Sequence, residues 1–288
     1  MGQEGHRALG PEVTEDFARN GVVCLRGLLD GEWIRLLRAA IDQALLAPGP
    51  GRKSTPGSRY IVENSLWRHN ESFRRFALES PIGRAAAIVM GCREARLYND
   101  TMFVKEPGAT EPTPWHQDLP YFKLAGANNC SVWIGLDPVT QASGAMSFAL
   151  GSHRWGKMFR PINFGKDAGQ ASSEDAFDGF APDIDATPER YPTASFDLEP
   201  GDVTFHHLLT LHSATPNSTA DLRRRAHTIR FAGDGATWID RPYSTAEFDT
   251  DLKDGEPLDG PLFPVLWPGP AAVPSSRADV HRKVNTND

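Results

Sequence analysis

The sequence predicts a mainly β protein with helices gathered at its N-terminal end, forming one domain over residues 1–288. Three observations carry this reading. Apolar residues recur at helical spacing through the part from about residue 11 to 91. From about residue 95 to 235 they give way to short alternating runs divided by Pro and Gly turns. No internal repeat and no low-complexity linker divides the chain.

Taken in order, Thr14 followed by "EDFARNG" reads as a short capped helix that ends at Asn20-Gly21. "VVCLRG" reads as a strand. Asp30 opens a helix to about residue 46, with Trp33, Ile34, Leu37, Ile41 and Leu45 along one face. "PGPGRKSTPGS" is a loop, and residues 70–91 form a second helical region. The β part begins with "ARLYNDTMFVKEPG". It continues through "NNCSVWIGLDPV", "GAMSFALGSH", "PGDVTFHHLLTLH" and "RRRAHTIRFAG", each read as one strand. Residues 157–195 are rich in Gly, Asp and Ser with little periodicity, which suits an inserted lid carrying Phe159, Phe164, Phe177 and Phe180 as apolar anchors. The Pro-rich tail, 241–288, reads as an extended arm.

Bulk properties exclude several function classes. A net charge of −7 and a pI near 5.7 argue against nucleic acid as a partner. No apolar run approaches the roughly 18 residues that a membrane span requires. The first residues, "MGQEGHRALGPE", lack a signal-peptide core, so a cytoplasmic location is expected. The three cysteines, Cys24, Cys92 and Cys130, have no metal-type spacing.

The informative stretch is "TPWHQDLPYF". On a strand, residues i and i+2 share a face, so His116 and Asp118 would aim a nitrogen and an anionic oxygen at one point. A third ligand must come from downstream. His212 is best placed, because it ends a strand and a turn, "SATPN", follows it. His206 and His207 sit in mid-strand, where a histidine is more often simply packed; His227 is a further candidate, and His153 suits a pocket wall. Two histidines and one carboxylate leave open metal positions opposite them, the pattern of non-haem Fe(II) oxygenases, although zinc accepts the same donors. A 2-oxoglutarate bound to such a metal needs a cationic fork for its far carboxylate. Arg223, Arg224 and Arg225 follow His212 by about one hairpin.

"WHQDLPYF", "VWIGLDPV", "GAMSFALGSHRWG", "PGDVTFHHLLTLHSATPN" and "RRRAHTIRFAGD", in this order, resemble the phytanoyl-CoA dioxygenase family of Fe(II)/2-oxoglutarate oxygenases. The resemblance runs from about residue 14 to 240. It implies a double-stranded β-helix (a cupin-like jelly roll) with N-terminal helices packed on one sheet. It implies His116, Asp118 and His212 as metal ligands, Trp133 near 2-oxoglutarate, and an arginine that matching of the strand assigns to Arg224 rather than Arg223. Asn99, Thr101 and Lys105, on the strand before the HxD motif, are further co-substrate candidates. Tyr121, Phe122, His153 and Trp155 are expected to line a substrate pocket under the lid. The implied reaction uses Fe(II), 2-oxoglutarate and O2 to hydroxylate a small organic molecule. Related halogenases replace the carboxylate by a small residue, so Asp118 disfavours halogenation. No acyl-CoA signature is present. Two other classes fit fewer of these residues: a non-catalytic jelly-roll binding protein, and a zinc hydrolase on the same ligands.

Overall fold

Helix α1 (Pro11–Asn20) and strand β1 (Val22–Leu25) open the computed structural model, which describes residues 9–54, 56–162, 177–241, 244 and 248–268. α1 begins earlier than the Thr14 cap would have it. Pro11 supplies a φ already suited to a first turn, and the Thr14 hydroxyl instead donates to the Ile88 carbonyl at 2.6 Å. The helix closes as expected at Gly21, whose φ of 76° suits a residue without Cβ.

Asp30 caps α2 (Gly31–Leu46) by accepting from the Glu32 and Trp33 amides. β2 (Tyr60–Asn64) follows. The second helical region is two helices, α3 (Glu71–Glu79), capped by Asn70, and α4 (Ile82–Met90), set off by Pro81. Then come β3 (Glu94–Lys105), β4 (Thr113–His116), β5 (Leu124–Ala125), β6 (Asn129–Gly135), β7 (Met146–Ala149) and β8 (Thr193–Ser195). β9 (Val203–His206), β10 (His212–Ala214), β11 (Arg224–Ala232), β12 (Thr237–Trp238) and β13 (Val265–Pro268) complete the set.

The strands form a major sheet in the order β1-β9-β6-β11-β3-β13, with β2 also on β3, and a minor sheet β4-β10-β7-β8. β5 and β12 pair separately. All the strand pairs are antiparallel, and the two sheets face each other as a double-stranded β-helix. Alternation along the major sheet sends Val132, Ile134, Phe205, Ile229 and Phe231 outward. They pack under Leu37 and Ile41 of α2 and Phe73 and Phe76 of α3.

Two further expectations need correction. "PGDVTFHHLLTLH" is two strands in different sheets. After His206 the His207 amide bonds to the Gly21 carbonyl, a turn closes from Thr210 to His207, and the chain crosses to the minor sheet as β10. The 157–195 segment is not irregular to its end, since β8 pairs with β7. Residues 163–176, including Phe164, lie outside the described residues. The tail adds a strand, β13, and buries Leu258 and Phe263 against Tyr98 and Trp238. No helix among the described residues is long and apolar enough to cross a membrane.

Candidate metal centre

A cavity partly open to solvent lies between the sheets. His116 ends β4 directly opposite His212 of β10, with ring centroids 4.2 Å apart. Asp118 has already left the strand, at φ −78° and ψ −39°, so the same-face argument for the HxD spacing holds only for its first residue. The bend is held by the Asp118 and Leu119 amides, which both donate to the Leu208 carbonyl.

These turns bring three ligand atoms together. Among the described residues, His116, Asp118 and His212 offer donor atoms all within 4.8 Å of one another. Nε2 of each histidine lies 3.7 Å from Asp118 Oδ1. On the far side of each ring, Nδ1 faces a backbone carbonyl: Pro114 at 2.8 Å for His116 and Thr210 at 2.9 Å for His212. A carbonyl accepts only, so the hydrogen sits on Nδ1 and the Nε2 lone pair is left facing the common point. Burial pushes His116 down to about 3 and His212 to about 4, and both rings are therefore neutral at ordinary pH. Burial alone would raise Asp118, but Arg230 and His206 beside it hold its carboxyl well below the usual range. Two neutral imidazoles and one carboxylate on one side fit a divalent metal such as Fe(II).

At the other end of the cavity lies Arg224. β11 alternation separates the three arginines. Arg223 stands before the strand and is half exposed, paired with Glu106 at 2.9 Å. Arg225 faces the helices, where it pairs with Asp137 at 2.7 Å and Asp42 at 2.9 Å. Arg224 alone turns inward, buried, with Nε and Nη1 lacking any hydrogen-bond partner and its guanidinium 5.5 Å from the Trp133 ring centre. Lys105 is fully buried near it and donates to the Thr215 carbonyl at 2.6 Å. Burial, then Arg224, pushes Lys105 down to about 7. Gly144, at φ 96°, lets the chain pass close by; a Cβ there would meet Arg224 and Lys105 at 3.3 Å.

The phytanoyl-CoA dioxygenase (PhyH) family model matches residues 17–226, which hold His116, Asp118, His212 and Arg224. The chain belongs to the phytanoyl-CoA dioxygenase family. A curated relative from Stutzerimonas stutzeri, named a probable α-ketoglutarate-dependent hypophosphite dioxygenase, is 30% identical over 179 residues. That match covers 62% of this chain and 58% of the relative. A probable phytanoyl-CoA dioxygenase from Caenorhabditis elegans is 29% identical over 139 residues, 46% of this chain and 42% of its own length. The chain thus spans about half the length of these curated relatives. The 1-deoxypentalenic acid 11-β-hydroxylase of Streptomyces arenae is 26% identical, over 71% of this chain and 74% of its own. Among solved structures, the non-haem α-ketoglutarate-dependent carbocyclase SnoK superposes with a TM-score of 0.71 at 25% identity, covering 92% of this chain and all of its own.

Within this family member the other expected site residues divide. Trp133 is in the cavity wall. Thr101 stands behind the wall, donating to Asn64 Oδ1 at 2.9 Å and accepting from Arg230 Nη1 at 2.5 Å. Asn99 is occupied locally, its Oδ1 accepting from Ser65 Oγ and the Asp100 amide. The Tyr121 ring stands edge-on to His116 at 6.1 Å, its hydroxyl paired with the backbone of Ile162. Phe122 lies under the Arg230 guanidinium at 5.3 Å. His153 and Trp155 are not at the cavity. Gly151, at φ 74°, bends the chain back onto α1, so His153 bonds to the Ala18 carbonyl and Trp155 packs on Phe159 and Tyr191. Ser131, Arg230 and Tyr60 line the cavity without having been anticipated, and His206, the less favoured ligand candidate, lines it too. A signal for them existed in the alternation: Phe205, Val132, Ile229 and Phe231 point out, so their neighbours must point in.

Proposed function

We propose that the protein is an Fe(II)- and 2-oxoglutarate-dependent oxygenase that hydroxylates an unactivated C–H bond of a small organic metabolite, consuming O2 and releasing succinate and CO2. The observation that carries this reading is one cavity holding both a converging His-Asp-His set and a buried, unpartnered guanidinium. The relatives named as α-ketoglutarate-dependent enzymes support it. When bound, iron and 2-oxoglutarate supply the oxidising chemistry.

This chain's residues hold, orient and shield. His116 and His212 give neutral nitrogen donors whose rings the Pro114 and Thr210 carbonyls fix. Asp118 gives the single negative charge. Arg224 would hold the far carboxylate of 2-oxoglutarate, and the Trp133 face restricts where that guanidinium lies. Lys105 closes the same end. The two ends of the 157–195 segment act as a cover that excludes water, with Phe159 anchored among Trp115, Ile184 and Leu211.

Anaerobic titration of the protein with Fe(II) and then 2-oxoglutarate tests the reading. A visible charge-transfer band, followed by succinate formation on admitting O2, is the expected result. A protein that binds zinc in preference, and on which 2-oxoglutarate produces neither signal, would be a hydrolase or a binding protein instead.

A further inference from the structure

The inner face of the major sheet carries a second cation that the reading above does not use. Arg230 is 6% exposed and lines the cavity at the metal end, six residues along β11 from Arg224. Among the described residues its guanidinium makes one hydrogen bond, from Nη1 to Thr101 Oγ1. Its Nε is buried without a partner, and the nearest carboxylate oxygen, Asp118 Oδ2, is 3.6 Å away, beyond hydrogen-bond reach. A buried guanidinium has five N–H groups to satisfy and keeps its charge. Leaving its buried Nε–H unmet is costly unless something else fills it.

The surroundings of Arg230 suit an anion. Pairing across the sheet places Ser131 directly between His206 and Arg230. The Ser131 hydroxyl and both His206 nitrogens are buried and make no hydrogen bond. One row across three strands thus offers a guanidinium Nε, a hydroxyl and an imidazole without hydrogen-bond partners, Arg230 and His206 each standing 3.6–3.7 Å from Asp118 Oδ2.

Charge balance says which anion. A divalent metal, the Asp118 carboxylate, doubly charged 2-oxoglutarate and Arg224 together cancel. Asp118 is the one acidic residue among the described residues that line the cavity. Lys105 lies at the Arg224 end and, being pushed down to about 7, can shed its charge. Arg230 therefore adds one positive charge that nothing in the loaded cavity offsets. We propose that Arg230, with Ser131 and His206, holds a singly charged carboxylate of the substrate, so that this protein acts on small organic acids rather than on neutral molecules. This rests on the oxygenase reading given above. It makes Arg230 a specificity-determining residue, separate from the arginine that serves the co-substrate.

The test is calorimetric and needs no turnover. Protein loaded with Mn(II) and 2-oxoglutarate without O2 is titrated with acetate, butyrate, hexanoate, octanoate and benzoate, each against its own amide. At least one acid should bind about tenfold or more tightly than its amide, as expected for a charged hydrogen bond in a buried site. In Arg230→Gln that difference should shrink to about twofold or less, while 2-oxoglutarate affinity stays within about twofold of the unaltered protein; Arg230→Lys should keep part of the preference. Retained Mn(II) binding shows that each variant has folded, and the comparison of acid with amide in the unaltered protein depends on no variant. The proposal is overturned if no acid outbinds its amide, or if the preference survives Arg230→Gln. It is also overturned if that substitution weakens 2-oxoglutarate as Arg224→Ala does, which would make Arg230 a co-substrate residue. Failure of the unaltered Mn(II) protein to bind 2-oxoglutarate at all removes the oxygenase reading, and this inference with it.

Discussion

The two faces of the major sheet handle buried polar groups in opposite ways. On the helix side, His227 and Asp100 are both fully buried, yet His227 Nε2 pairs with Asp100 at 3.0 Å, leaving only Nδ1 without a partner. Asp100 also accepts from the Trp67 amide, and the rings of Phe73 and Phe76 cover the imidazole. On the cavity side, Ser131, Thr204, His206, Arg224, Thr228 and Arg230 all keep buried nitrogen or oxygen atoms without partners. The strands are the same and the burial is comparable. On the helix side the buried charges are paired; on the cavity side whole polar groups, such as both nitrogens of His206, are left without a hydrogen bond. The contrast separates structural from functional histidines better than exposure does, since His227 and His206 are about equally buried.

That contrast can be broken experimentally. Asp118→Ala should have the largest effect: it removes a ligand outright, so metal affinity should fall by more than the ten- to hundredfold typical of outer partners, with turnover lost and the fold intact by circular dichroism. Full activity in that variant would remove the metal assignment. Next comes Arg224→Ala, which leaves the 2-oxoglutarate carboxylate unpaired at a cost of about 3–5 kcal/mol and should raise its KM about a hundredfold or more. Arg223→Ala should change it little, because that side chain pairs with Glu106 at the surface; a steep rise there instead would place the fork one residue earlier.

On the helix side the same kind of deletion should be read in stability. His227→Ala should lower stability by about 3 kcal/mol, since it strands Asp100 in the core, while the 2-oxoglutarate KM remains unchanged. A further effect follows from pH. His116 and His212 have folded values near 3 and 4 against an ordinary 6.5, so the unfolded chain takes up protons first as pH falls. The metal-free protein should be fully stable above about 6.5 and lose stability steadily between there and about 4. A melting temperature that rises over this interval would contradict the burial of these rings. Smallest of all, Thr228→Val removes an unmet hydroxyl and should leave the melting temperature unchanged or slightly higher. A clear drop would mean that Thr228 has a partner after all.

Much of this was legible in the sequence, for identifiable reasons. The metal set depends on two residues close in the chain and one histidine before a turn, and local pattern reaches that far. Arg224 was separable from its neighbours because strand alternation is a local property. Arg230 and His206 were not singled out, because "VTFHHLLTLH" reads as one strand, while the break after His206 is made by Gly21, far away in the chain. The same limit misplaced His153 and Trp155: after a left-handed Gly151, His153 meets a helix that no local pattern connects to it, and Trp155 packs on Phe159 and Tyr191. Periodicity tells which face a residue takes, but cross-strand register decides which residues share it.

One residue between two ligands has a consequence of its own. Gln117 points away from the metal, and its amide grips both the Leu209 carbonyl, just ahead of His212, and the Lys157 carbonyl, while its Oε1 accepts from the Phe159 amide. The metal loop, the approach to the third ligand and the root of the 157–195 segment therefore share a single side chain. Thermodynamic linkage is reciprocal: any ligand that shifts the root of that segment by drawing on these bonds must alter metal affinity by some factor, and the metal must alter that ligand's affinity by the same factor. Gln117 makes any coupling between the metal and such a ligand a property of the fold rather than of either molecule.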